Sequence, residues 1–294
     1  MKLGISGQVL SETKSLEEIL QILKKHDVKN IEIWPCNISG TDNNSKICPD
    51  TYEGRDILKA KDILKEYGIA VACVSMSAAF NREISSNVEV YASALRYTVE
   101  VAKELGASYV NHYCYYLCLE EASDAVRMMK YWEPALNLAE REGIVMCLEN
   151  EAHDATRTPV GMYRIIEQLG SKNFKTNYDA TNYYHAGQEG FPHGYDVLKD
   201  HIAYVHIKNG CIYDPDSGHS EKSKGTPMTG AFASNNIYYP PIPEGAVNID
   251  GLLLRLERDG YDGFCVLEPH TTAENAEGYY FQEVGYLRNR GFFI

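Results

Sequence analysis

The chain has 294 residues, 44% of them hydrophobic, long enough to bury a large core. A formal net charge of −13 argues against a nucleic-acid partner, because phosphate binding needs a basic footprint. The start MKLGISGQVL lacks the basic and apolar regions of a signal peptide, and no apolar run approaches the roughly 20 residues that span a bilayer.

No linker or low-complexity tract divides the chain, so one domain over residues 1–294 is expected, in a cytoplasmic protein with no membrane partner. Eight cysteines in a chain of this length are not a disulfide framework, and the nearest pair, Cys114 and Cys118, is spaced C-x3-C. Cys73, Cys147 and Cys265 lie in apolar runs and read as small reduced hydrophobes.

Hydrophobic periodicity predicts short apolar strands alternating with longer amphipathic helices. Lys2 to Ser6 is a strand, Ser15 to His26 a helix, Asn30 to Trp34 a strand and Tyr52 to Tyr67 a helix. Ile69 to Ser75 is the third strand, and Val88 to Leu105 a helix stopped by Gly106. Ala107 to His112 and Glu121 to Glu142 follow, then Ile144 to Glu149 and Pro159 to Leu169. Phe174 to Asp179 leads to a weak helix over Tyr195 to His201, and Ile202 to Ile207 is the seventh strand. A long loop over residues 208–248 precedes a helix, Ile249 to Arg258, the strand Gly263 to Glu268 and a final helix over Ala273 to Leu287.

Eight strands, each followed by a crossover, predict an α/β fold, a (β/α)8 TIM barrel. The competing doubly wound sheet would carry a Gly-rich phosphate fingerprint after its first strand, and none is present. In such a barrel the C-terminal strand ends face the active site. Four consecutive strands end on potential ligands: Glu149, Asp179, His206 and Glu268. Taken singly, a strand-end Glu more often faces water, His206 more often packs at a rim, and Asp179 can simply cap the next turn. Their placement on four successive strand ends is what those readings leave unexplained.

Three carboxylates and one imidazole suit a divalent metal ion, Mn²⁺ first, with Co²⁺, Mg²⁺ and Zn²⁺ as alternatives. An octahedral ion would keep two positions for a chelating substrate. Glu149 and Glu268 could then flank a carbon beside a polarised carbonyl, one removing its proton and the other returning it.

The segments NIEIW, LEN, NYDATN, HIKN and GYDGFCVLEP, with PEGAVNIDGLL before the seventh helix, resemble the sugar phosphate isomerase/epimerase family with a xylose-isomerase-like barrel. That family includes ketose 3-epimerases, inosose dehydratases and hydroxypyruvate isomerases. The resemblance spans essentially the whole chain. It implies that Glu149, Asp179, His206 and Glu268 bind metal, that Glu149 and Glu268 are the acid/base pair, and that Lys208 touches substrate oxygens of a small carbohydrate.

The chain departs from the family pattern at three places. Asn182 stands where the family often has His, Asn209 where it often has Asp, and the stretch from Asn209 to Lys222 lacks the Arg that orients substrate in many ketose epimerases. His112, His153 and Asn182 join Lys208 as candidate substrate contacts, with His185 and His270 in neighbouring loops. Within loop 208–248, Tyr213, Phe232, Tyr238 and Tyr239 are candidates for stacking on a sugar or for packing against a second subunit.

The expected activity is isomerisation or epimerisation of a keto-sugar or polyol. The alternative is a lyase on the same barrel, an inosose-type dehydratase or the catalytic subunit of a C-glycoside deglycosidase. A homo-oligomer is expected, or a hetero-oligomer for a deglycosidase subunit. An apurinic-site nuclease is disfavoured by Asn182 and by the acidic charge, and a non-catalytic sugar-binding protein by the intact quartet.

Overall fold

The structure, a computed structural model, describes residues 1–40, 48–117, 125–217 and 234–293. Eight parallel strands close into a barrel: β1 (Lys2–Ser6), β2 (Asn30–Ile33), β3 (Ala70–Ser75), β4 (Tyr109–His112), β5 (Val145–Glu149), β6 (Phe174–Asp179), β7 (Ile202–Ile207) and β8 (Phe264–Leu267). β8 closes onto β1, with Leu3 opposite Cys265 and Ile5 opposite Leu267. The principal helices are α1 (Leu16–Lys25), α2 (Ile57–Tyr67), α3 (Val88–Leu105), α4 (Ala125–Glu142), α5 (Pro159–Leu169), α6 (Ala180–His185), α7 (Ile249–Arg258) and α8 (Ala273–Asn289). This is the (β/α)8 barrel the alternation predicts. Among the described residues no helix is long and apolar enough to cross a membrane.

Local chemistry sets the helix ends. Ser15 and Glu18 form a reciprocal capping box at α1. Asn87 accepts from Val90 N at the start of α3, and Gly106 ends that helix at φ 72°, a conformation glycine adopts without a Cβ penalty. α2 starts five residues later than the periodicity predicts. Tyr52 is buried, and its hydroxyl donates to the carbonyls of Ile33 (2.8 Å) and Ser75 (2.9 Å), so this segment is tied to the ends of β2 and β3 instead. The expected start of α4 at Glu121 falls outside the described residues.

One pairing is absent from the cysteine reading: Cys36 and Cys48 form a disulfide across the loop after β2. The described residues after β7 include a further pairing. Cys211–Ile212 and Ile237–Tyr238 pair as a short antiparallel ladder, and Tyr213, Tyr238 and Tyr239 are buried. Phe232 lies outside the described residues.

Strand alternation sorts the core into two parts. Ile5, Ile31, Ile33, Val74, Val110, Leu148, Val205 and Leu267 pack beneath the helices. Each such side chain, fully buried, contributes about 1.5–3 kcal/mol. Inside the barrel, Ala72, Cys73, Cys147, Tyr204 and Val266 form an apolar plug. Above it, towards the C-terminal strand ends, the interior becomes polar.

Candidate metal centre

Glu149 ends β5, Asp179 ends β6, His206 lies in β7 directly opposite Asp179, and Glu268 follows β8. Side chains two apart on a strand share a face, so Glu149, His206 and Glu268 continue the inward-facing set begun by Cys147, Tyr204 and Val266 in the plug below, and Asp179 shares its face with Asn177. One ligand atom from each of the four lies within 4.8 Å of all the others, and all four residues are buried. The structure thus brings together the four strand-end residues singled out in the sequence.

A web of amides holds the carboxylates. Glu149 Oε2 accepts from Asn111 Nδ2 (2.9 Å) and Asn177 Nδ2 (3.2 Å), and its Oε1 accepts from Asn182 Nδ2 (3.3 Å). Asn150 clasps the Asp179 backbone in both directions, donating to its carbonyl (2.8 Å) and accepting from its N–H (2.9 Å). Asp179 divides its two oxygens between roles. Oδ1 caps α6 by accepting from Thr181 N and Asn182 N, while Oδ2 turns to Lys208 Nζ at 2.8 Å. The capping interpretation of Asp179 therefore holds for one oxygen, while the other turns to Lys208 and the cluster.

His206 Nδ1 stands 3.1 Å from Glu149 Oε1 and 3.3 Å from Glu268 Oε2. Burial works to lower the pKa of this ring, but Glu149, Glu268 and Glu32 carry it well above the ordinary histidine value. Burial likewise works to raise Glu268, yet His206 and Lys208 hold it well below the usual carboxylate range. Asp179 is raised, by burial first, with Lys208 opposing and Glu149 adding to the shift.

The donor set fits a dication. Four carboxylates, those of Glu32, Glu149, Asp179 and Glu268, are buried beside one lysine, Lys208, and one imidazole. That leaves an excess of negative charge even with the ring protonated. Unpaired buried charge costs several kcal/mol per ion. A divalent cation among Glu149, Asp179, His206 and Glu268 would remove the excess, and the oxygen-rich set with one nitrogen suits Mn²⁺, Co²⁺, Mg²⁺ or Zn²⁺.

The other candidates scatter. Lys208 reaches the cluster, 2.7 Å from Glu268 Oε2 and 3.1 Å from His270 Nε2. Asn182 is buried and donates its amide to Glu149 and to Asn150 O (2.9 Å), so it braces a candidate ligand. His153 sits beside the cluster's neighbours: its Nε2 is 3.3 Å from Ser234 Oγ and its ring meets the edge of His185 at 4.9 Å. His185 in turn lies 3.3 Å from the Tyr239 hydroxyl through Nδ1, and Tyr239 packs on the His270 ring at 4.5 Å. His185 is kept neutral, its pKa pushed down to about 3 by burial and then by His153 and Lys208.

His112 is not brought to the site. Its strand neighbour Asn111 faces Glu149, so alternation turns His112 outward, where its ring packs edge-on against Trp132 (5.8 Å) and Phe174 (5.5 Å). Burial pushes its pKa down to about 3, as suits a neutral core ring.

Three inward residues escaped the sequence reading. Glu32 on β2 lies 2.8 Å from His206 Nε2, and Asn111 and Asn177 grip Glu149. The available signal was a charged or amide residue inside an otherwise apolar strand, as in NIEI and YVNH. Beside them Tyr113 stacks on Trp34 (6.3 Å) and on the edge of Phe80 (4.8 Å), with its hydroxyl accepting from Asn111 at 3.2 Å.

Residues 20–290 match the family described as the xylose isomerase-like TIM barrel, and the chain belongs to that family. Solved structures with the same fold cover nearly the whole chain. A D-allulose 3-epimerase from Methylomonas sp. is 16% identical, covers 99% of this chain and 97% of its own, and has a TM-score of 0.71. The probable 3-DHS dehydratase AsbF of Bacillus anthracis is 17% identical over 99% of this chain and 100% of its own, with a TM-score of 0.67. The IOLI protein, solved with a binding zinc atom, is 18% identical over 100% of this chain and 99% of its own, with a TM-score of 0.66. At these identities the likeness is one of fold. No curated protein matches the sequence significantly.

Proposed function

We propose that the protein is a metal-dependent isomerase or epimerase of a keto-sugar or polyol, with the ion, Mn²⁺ first, held by Glu149, Asp179, His206 and Glu268. The observation that carries this reading is the convergence of Glu149 and Glu268 on one point. Oxygens of both lie within 3.3 Å of the same nitrogen, His206 Nδ1, at the mouth of a buried, negatively charged site. When bound, the ion polarises carbonyl and hydroxyl oxygens of the substrate and so acidifies the C–H between them.

The chain's own residues supply the proton transfers. Glu149, fixed by three amides, and Glu268, paired with Lys208, sit in different surroundings. One, ionised, takes the proton from the substrate carbon and the other, protonated, delivers its own, so that the two exchange protonation states in each turnover. Return to the opposite face of the same carbon is epimerisation, and return to the neighbouring carbon is isomerisation. Lys208 keeps Glu268 ionised and offers its ammonium to a substrate oxygen. Trp34, Tyr113 and Tyr239 are buried beside the strand ends, and a substrate closing against them would exclude water and so preserve carboxylate basicity. Epimerases and a zinc protein among structures of the same fold are consistent with this chemistry.

A lyase is the second reading, and one observation favours it. Asn182 and Asn209, at positions where ketose epimerases commonly place other polar groups, spend their amides on the protein itself. The same proton removal would then expel a leaving group from the adjacent carbon. Incubation with candidate keto-sugars and Mn²⁺ in D₂O tests both. Deuterium at an inverted or shifted centre supports the isomerase, loss of water or an aglycone supports the lyase, and no exchange in the metal-loaded protein with any candidate sinks the proton-transfer chemistry.

A further inference from the structure

We propose that Glu32, on β2 and outside the group of four, is a positioning residue for His206: its carboxylate fixes the proton on Nε2 and so presents the Nδ1 lone pair to the metal. The inference rests on the metal reading above and concerns how the site obtains its affinity.

Glu32 is fully buried, and both of its oxygens are engaged. Oε1 accepts from Ser75 Oγ at 2.7 Å. Oε2 accepts from the Tyr204 hydroxyl at 2.9 Å and lies 2.8 Å from His206 Nε2. An ionised carboxylate only accepts hydrogen bonds, so the ring nitrogen facing it carries the proton. The other nitrogen, Nδ1, faces Glu149 Oε1 and Glu268 Oε2 and by the same rule carries a proton in the metal-free protein; an ion held by those two carboxylates would take that proton's place, while Glu32, outside the four, would keep the one on Nε2. Tyr204 supports the arrangement from below, its ring packed against that of His206 at 5.7 Å. Ser75 Oγ, the Tyr204 hydroxyl and His206 Nε2 all need an acceptor at this depth, and of the three only His206 belongs to the candidate metal site. What an acid does and a hydrophobe cannot is to orient the ring and raise its donor strength, as partners of metal-bound histidines generally do.

Metal-free protein titrated with Mn²⁺ by calorimetry gives the first readout, and ¹⁵N NMR of the Zn²⁺-loaded protein the second. Glu32→Gln should weaken Mn²⁺ binding by about 10–100-fold. Ser75→Ala and Tyr204→Phe, which remove donors to the same carboxylate at the same depth, should stay within about threefold of the parent, because they leave the ring its acceptor. In the parent protein the His206 signals should show Nδ1 bound to Zn²⁺ and Nε2 protonated. If Glu32→Gln does not fold, Glu32→Asp, which keeps the charge but withdraws it by one methylene, should show a smaller loss in the same direction. Binding by the variant within threefold of the parent overturns the inference, as does an Nε2-bound metal or an equal loss in Ser75→Ala. A parent protein that takes up no divalent metal sinks the metal reading and this inference together, whereas failure confined to the Glu32 variants sinks this inference alone.

Discussion

Lys208 and Glu268 form a buried ion pair inside the candidate metal centre, with the ammonium 2.7 Å from Glu268 Oε2 and 2.8 Å from Asp179 Oδ2. The lysine partly neutralises two of the carboxylates that would hold the ion. Removing it leaves both less compensated, and breaking one side of a buried pair typically costs about 3–5 kcal/mol. Lys208→Met should therefore destabilise the metal-free protein by about that amount, with Mn²⁺ recovering part of the loss. Denaturant melts with and without metal check this; a metal-free variant as stable as the parent would show that the pair contributes nothing net.

Metal removal should be visible without any substrate. A ligand that binds only the folded state adds about 2.7 kcal/mol at a concentration 100 times its Kd. Exhaustive chelation should lower Tm by several degrees and abolish turnover, and Mn²⁺ or Co²⁺ should restore both. Full activity in metal-free protein would remove the ion from the mechanism.

Glu268→Gln keeps the shape of the side chain but can neither take nor return a proton. A positioned acid or base is worth roughly 10²–10⁴-fold in rate. Because Glu268 is also a candidate ligand, the loss in kcat should be at least that large, while circular dichroism stays unchanged. Turnover within tenfold of the parent would exclude Glu268 from proton transfer.

Away from the site, Glu283 on α8 is a buried carboxyl whose pKa is pushed up to about 8 by burial, opposed by the hydrogen bond it accepts from Ile242 N. In the unfolded chain a Glu releases its proton near pH 4.3, roughly the model-peptide value. Between those limits the folded state binds the extra proton, so stability falls as pH rises, by at most about 1.4 kcal/mol per pH unit. Glu283→Gln should flatten the decline in Tm between pH 5 and pH 8 and be the more stable protein at pH 8. Parallel pH profiles for the two proteins would show that the carboxyl titrates normally.

The Asn at position 209 is explained by what its side chain holds. Its Nδ2 donates to the carbonyls of Ile242 (2.7 Å) and Val247 (3.0 Å), while its Oδ1 accepts from Gly210 N (2.8 Å) and Val247 N (3.0 Å). An aspartate cannot donate, and would set its charge against two carbonyl oxygens. Gly245 passes so close that a Cβ there would come within 2.1 Å of Asn209 Cγ. Asn209→Asp should cost about 1–3 kcal/mol, the usual penalty for buried polar groups left unpaired. Urea denaturation measures it, and an unchanged midpoint would mean that this clasp is not what anchors the end of the loop.

Much of the site was legible because it depends on two local regularities. Period-two alternation and the placement of C-terminal strand ends at one mouth are enough to gather Glu149, Asp179, His206 and Glu268. Helix ends at Gly106, Pro159 and Gly170 were equally readable, since caps are chosen by backbone chemistry within a few residues. Tyr52 shows where that reach stops: its partners are the carbonyls of Ile33 and Ser75, contributed by two other strands.

The sequence by itself therefore determined the β/α alternation and the four strand-end residues, because both follow from patterns shorter than one β/α unit. Only the tertiary structure decided which polar residues serve them. It set Glu32 against His206 across 174 positions of chain, turned His112 outward while Asn111 faces Glu149, and gave Asn182 to Glu149. Alternation says that neighbours on a strand point opposite ways, but not which of them points inward. That choice follows from the register in which the strands pair and close, including the shift between Ile31 and Glu32 on β2. Barrel closure is a property of all eight strands at once, and no single segment contains it.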